Sequence, residues 1–142
     1  MQVVIGTDKD GMNLKETLKA FLTEEGHEVI DVTEEPAEDF VESTNAIIEA
    51  LEANEKAVGV AIDRFGVGSF MAGSKHKNMV AAELSDERTA YMTRRHNNAR
   101  LITMGQDIVG VELAKNIVRE FTSTDYDGGR HQVRVDMLNE ML

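Results

Sequence analysis

Short runs of β-branched and apolar residues alternate with helical periods from one end of this chain to the other, and that alternation limits the fold more than any other feature. The runs fall at residues 2–6, 28–32, 57–62, 79–82 and 100–104. The first, third and fifth are β-branched or apolar almost throughout, the pattern of strands covered on both faces. Between the runs, Leu14, Leu18, Phe21 and Leu22 recur at i, i+4, i+7 and i+8, and Gly26 stops the period. Phe40, Thr44, Ile47, Ile48 and Leu51 repeat the pattern, as do Leu113, Ile117, Val118 and Phe121. Such a chain predicts an α/β three-layer αβα sandwich, with a five-stranded, mainly parallel sheet and right-handed crossovers. No Gly/Ser-rich or Pro-rich linker interrupts the alternation, and 142 residues suit one core better than two, so residues 1–142 read as one domain.

The last segment departs from the alternation. After Asp127-Gly128-Gly129, residues 130–142 set Val133, Met137, Leu138, Met141 and Leu142 on one helical face. Such a helix packs on its own domain or reaches a neighbouring subunit; its methionines and basic first turn fit either.

Charge and composition narrow the chemistry. The net charge is −11, with the acidic residues concentrated in the first 55 positions, which disfavours nucleic acid and anionic membrane as partners. With no cysteine, disulfides, a thiolate nucleophile and Cys-ligated zinc are excluded. No apolar run approaches the roughly 20 residues of a membrane span, and Met1–Gly6 lacks the form of an export signal. The expectation is a cytoplasmic protein. Its cations are gathered at Lys75-His76-Lys77, Arg94-Arg95-His96, and Arg130-His131 with Arg134. Each group is either solvated surface or a seat for a small anion.

In open α/β sheets ligands bind beyond the carboxyl ends of the strands. That rule selects the segments Gly6–Gly11, Asp63–Gly68, Ser85–Glu87 and Gly105–Asp107. The second offers Gly66-Val67-Gly68-Ser69 at a strand-to-helix turn, where backbone N–H groups can approach an anion. Alone this is weak: Met71 stands where a dinucleotide fingerprint needs its third glycine. His96 precedes a strand, where it serves as a helix C-terminal partner or as an acid–base group titrating near neutrality. Arg130 and Arg134, at i and i+4, leave one helical face together and either grip a phosphate or pair with the abundant acids.

These pieces together resemble the ribose-5-phosphate isomerase B and galactose-6-phosphate isomerase family over nearly the whole chain. The matching residues are Ile5-Gly6-Thr7-Asp8, Gly66-x-Gly68, Arg95-His96-Asn97, Gly105 with Ile108-Val109-Gly110, and Gly128-Gly129-Arg130-His131-x-x-Arg134. The resemblance implies a Rossmann-like aldose–ketose isomerase of phosphorylated sugars, working through a cis-enediolate with neither metal nor organic cofactor, its sites formed between subunits. It implies that His96 opens the sugar ring beside Asn97 and that Arg130 and Arg134 hold the phosphate. By the same resemblance Asp8 contacts sugar hydroxyls, and Gly66 and Gly68 belong to an oxyanion loop.

The departures are equally informative. The family's loop reads Cys-Gly-Thr-Gly-x-Gly; here it is Asp63-Arg64-Phe65-Gly66-Val67-Gly68. The base position is therefore Asp63, the hydroxyl position Phe65, and a further phosphate arginine is Asp107. With the loop eroded beside a complete His96, Asn97, Arg130 and Arg134 set, the resemblance implies a hetero-oligomer in which a cysteine-bearing B subunit supplies the loop. Two alternatives stand beside it: a non-catalytic sugar-phosphate scaffold or sensor, and a homomeric isomerase using Asp63 as base.

Overall fold

The apolar runs form strands because each can bury alternate residues on opposite faces of one sheet. In the computed structural model, which describes residues 1–142, the elements run β1 (Gln2–Thr7), α1 (Met12–Glu24), β2 (Glu28–Asp31), α2 (Phe40–Glu52), β3 (Val58–Asp63) and α3 (Val67–Ser74). They continue with β4 (Ala81–Glu83), α4 (Glu87–Asn97), β5 (Leu101–Gly105), α5 (Val111–Ser123) and α6 (His131–Glu140). The strand order is β2-β1-β3-β5-β4. Every pairing is parallel, so the sheet expected to be mainly parallel is wholly so.

Strand alternation sorts the core into two layers. Val3, Ile5, Val58, Val60, Ile62, Ile102 and Met104 face α1, α4 and α5, where Leu14, Leu18, Leu22, Ala90, Ile117 and Phe121 complete the larger cluster. Val4, Ala61 and Leu101 face the other way, onto Ile47, Ile48 and Leu51 of α2. Gly59 lies on that second face, where a Cβ would come within 2.9 Å of Ile47.

One strand departs clearly from its expected bounds. The fourth strand begins at Ala81 instead of 79, after Asn78 in a left-handed turn (φ 60°). The Val80 carbonyl already accepts the Arg100 N–H, so Val80 belongs to the turn onto the sheet. The terminal helix buries only Val135. Its apolar residues Val133, Met137, Leu138, Met141 and Leu142 stay exposed.

Parallel strands give the sheet two distinct edges. The β1–α1, β3–α3 and β5–α5 turns all lie at the carboxyl edge. Helices α4 and α5 run back against the strands, so α4 ends, and α6 begins, at the amino edge. The Asp127 N–H bonds the Arg95 carbonyl there.

Candidate active site

At the carboxyl edge the β3–α3 turn is tightly built. Gly66 has φ 83°, and a Cβ on it would lie 2.8 Å from the Met104 carbonyl carbon, so the turn tolerates only glycine there. Thr103 Oγ1 donates to the Gly66 carbonyl at 2.7 Å, and the Gln106 N–H to the Asp63 carbonyl at 2.9 Å, strapping the turn to β5. Gly68 lies under the Phe40 ring, 2.9 Å from where its Cβ would stand.

Asp63 is 5% exposed, and its carboxylate points back into this turn. Oδ1 accepts the Phe65 N–H at 3.0 Å and also the Gly66 N–H. Oδ2 accepts the Ser69 N–H at 2.8 Å and the Ser69 hydroxyl at 2.7 Å. A carboxylate offers about four lone-pair sites. All of them are taken, and none is free to receive a proton from carbon.

The rest of this edge is polar and partly closed. Arg64 Nε donates to Asp107 at 2.8 Å, and its guanidinium lies 5.4 Å from the Phe65 ring centroid, with Phe65 52% exposed. Asp107, the apparent charge reversal, is thus the partner of Arg64, and it raises that guanidinium's affinity for its proton. Asp8 is buried and accepts the Asp10 N–H at 3.0 Å. Burial pushes the Asp8 carboxyl above its ordinary range; the Asp10 N–H opposes this, and the charges of Asp10, Asp63 and Asp39 add to it.

The second group sits at the amino edge. His96 is in the last turn of α4, which Asn98 closes in the left-handed conformation (φ 51°). The His96 ring stacks on His131, centroids 4.0 Å apart and planes 12° from parallel. Burial lowers the His131 pKa, and the neighbouring His96 and Arg130 lower it further. Gly128 and Gly129, both at positive φ, turn the chain so that α6 starts beside α4. Asp127 fixes that turn: its N–H bonds the Arg95 carbonyl at 3.0 Å and its carboxylate accepts Arg95 Nε at 2.7 Å.

The chain has eight arginines. Arg64, Arg95 and Arg119 hold carboxylates. Arg94 and Arg100 hold carbonyls, and Arg88 lies over Tyr91. Arg130 and Arg134 alone have no such partner; they are exposed at the start of α6 beside His96 and Asn97. The acids that could have neutralised them do not.

The sequence-predicted residues therefore divide. Asp8, Asp63, Gly66 and Gly68 meet at the carboxyl edge; His96, Asn97, Arg130 and Arg134 meet at the amino edge. Strands of five or six residues separate them. At about 3.3 Å per residue that is roughly 16–20 Å, longer than a small phosphorylated sugar. Within one copy of the chain the two groups therefore stand apart, at opposite edges of the sheet. The His96–His131 stack and the Arg95–Asp127 clamp are not legible in the sequence, where the adjacency of Arg130 and His131 is the available hint.

The frame is thus a wholly parallel αβα sheet with two exposed, unpartnered arginines and a stacked histidine pair at its amino edge. The Ribose/Galactose Isomerase family model matches residues 3–138, and the chain belongs to that family. Galactose-6-phosphate isomerase subunit LacA of Streptococcus mutans is 58% identical over 99% of both chains. The subunit of the same name from Staphylococcus haemolyticus is 55% identical over the same shares. Among solved structures, Clostridium thermocellum ribose-5-phosphate isomerase B superposes with a TM-score of 0.94 at 34% identity, covering 99% of this chain and 97% of that one. Mycoplasma genitalium ribose-5-phosphate isomerase B with bound ribulose-5-phosphate gives 0.92 at 27% identity, over 97% and 93%.

Proposed function

We propose that this chain is one subunit of a heteromeric galactose-6-phosphate isomerase, converting D-galactose 6-phosphate to D-tagatose 6-phosphate. The observation that carries the reading is the division of the site residues between opposite edges of the sheet, with the carboxyl-edge loop lacking a usable base. At an interface, the amino edge of this chain faces the loop of a B subunit whose cysteine thiolate takes the C2 proton and returns it to C1 through a cis-enediolate. This chain's residues then do four things. Arg130 and Arg134 hold the 6-phosphate, two guanidinium groups with no internal partner. His96 opens the hexose ring by proton transfer at the ring oxygen. Asn97 orients the sugar hydroxyls. His131 holds the His96 ring in plane by stacking.

The relatives at 54–58% identity are each named as a subunit, which supports a heteromer. The exposed apolar face of α6 supports a role for that helix at a neighbouring chain. Residues 1–142 act in this reading as one sugar-phosphate isomerase-like domain, working in the cytoplasm; no helix of the chain is long and apolar enough to cross a membrane. A homomeric enzyme with Asp63 as base is disfavoured by the four donors that already hold that carboxylate. A phosphate-binding scaffold shares the free arginines but leaves the stacked histidine without a task.

The test is solvent exchange at C2. In D2O the purified chain alone leaves the C2 proton of galactose 6-phosphate in place, and addition of the cysteine-bearing subunit brings exchange and tagatose 6-phosphate together. Exchange by the lone chain at a rate comparable with the mixture would overturn the reading.

A further inference from the structure

We propose that Asp63 is a built-in anion, whose carboxylate fills the amide cradle of the β3–α3 loop and keeps this chain's own loop shut to a substrate oxyanion. The inference deepens the composite-site reading and rests on it for its consequence, though not for its chemistry. A loop that has merely lost a base would present free N–H groups to whatever anion arrives. Here the N–H groups of Phe65, Gly66 and Ser69, with the Ser69 hydroxyl, converge on one carboxylate that is 5% exposed.

Three physical points favour occupation from within. Hydrogen bonds to an ionised acceptor are about twice as strong as neutral ones, and Asp63 makes four. The Ser69 N–H lies in the first turn of α3, whose dipole adds to the attraction. A tethered carboxylate also competes at an effective concentration above that of any dissolved metabolite. For an external oxyanion to use the same donors, Asp63 would have to swing out of the fold and lose all four partners at once. The side chain at this position therefore does more than fail as a base: it substitutes for the ligand. Of the two loop types in a mixed assembly, substrate is admitted only to the sibling's.

The experiment needs neither partner nor turnover, so its failure would leave the composite-site reading standing. Sodium formate, a carboxylate small enough for the space vacated, is titrated against sodium chloride at matched ionic strength, and inorganic phosphate is run beside it. In the wild-type chain the Gly66 and Ser69 amide resonances stay in place with either anion. Asp63→Ala melts lower than wild type, and formate raises its melting temperature saturably while chloride does not. Should Asp63→Ala fail to fold, Asp63→Asn serves instead: one oxygen remains for Gly66, while Ser69 faces an NH2 group, so hydrogen exchange speeds up at Ser69 and not at Gly66. Anion-dependent movement of the wild-type amides, indifference of Asp63→Ala to formate, or equal protection at both amides in Asp63→Asn would each overturn the proposal.

Discussion

Replacing Asp31 by asparagine removes one negative charge from a place where the chain has buried a positive one. Lys15 is fully buried, and its ammonium lies 2.7 Å from Asp31 Oδ2, 3.0 Å from the Thr33 carbonyl and 2.7 Å from Glu16. Asp31 is itself 3% exposed in its side chain and also holds Lys19 at 3.0 Å and the Thr33 N–H at 2.9 Å. Removing one partner of a buried pair costs about 3–5 kcal/mol, because the other charge is left uncompensated. Glu16 and the Thr33 carbonyl still reach Lys15 in the variant, so the lower end, about 3 kcal/mol, is expected for Asp31→Asn. For a chain of this size each kcal/mol moves the melting temperature by about 2–4 °C, so the drop is about 6–12 °C.

The sign of the pH effect follows from the same contacts. Burial, the largest influence, pushes the Asp31 carboxyl up, but Lys15, Lys19 and the Thr33 N–H together hold it below the ordinary carboxylate range. Its contribution is complete above the unfolded value of about 3.9 and disappears as pH falls through the depressed folded value. Asp31→Asn therefore has a shallower acid limb than wild type. Urea unfolding at fixed protomer concentration, over a pH series, reads both effects. A loss under about 1 kcal/mol, the range of exposed ion pairs, would refute the reasoning by showing that the Lys15 ammonium is solvated. So would a double variant, Lys15→Met with Asp31→Asn, that loses the sum of the single losses instead of recovering part of them.

Two further outcomes follow from the site geometry. Gly105→Ala would place a Cβ 2.4 Å from the Phe65 carbonyl carbon, a clash with backbone and not with a movable side chain. It is expected to cost about 2 kcal/mol or more by overpacking, read by urea unfolding; a change within about 0.5 kcal/mol would contradict the strapped loop. The His131 imidazole should titrate below the ordinary histidine value in an NMR pH series, and His96→Asn should move its midpoint upward, since the stacked ring that helps cover it and the neighbouring charge that lowers it are both removed. Because protonation disfavours the native environment of His131, its effect on stability is absent above the ordinary histidine value and destabilising as pH falls below it. A midpoint unmoved by His96→Asn would separate the two rings.

Much of the architecture was legible because apolar runs bounded by glycine leave few alternatives: β1, β3 and β5 lie within a residue or two of their expected bounds. The edge strand β4 was displaced because Met79 and Val80 look like strand residues in sequence yet form the turn that receives Arg100. At the site, residue types were readable and geometry was not. Nothing in the spacing of Asp8 and His96 says that they lie at opposite edges; that follows only from α4 running back along the sheet. Asp63 could be seen to replace a thiol, but not to bond four donors, since those come from backbone groups that every sequence possesses. The pairing of Arg64 with Asp107 was likewise hidden, as 43 residues separate two groups that meet across neighbouring strands.

The division of labour between subunits is tested most directly by His96→Ala in this chain, co-assembled with an unaltered cysteine-bearing partner. The account predicts an assembly of unchanged size whose turnover of galactose 6-phosphate falls by at least about 100-fold, the lower range for losing a positioned proton-transfer group. The same substitution at the partner's matching histidine should leave turnover nearly intact. Full activity with His96→Ala in this chain, and loss only when the partner's histidine is removed, would show that the working site draws nothing from this chain's amino edge.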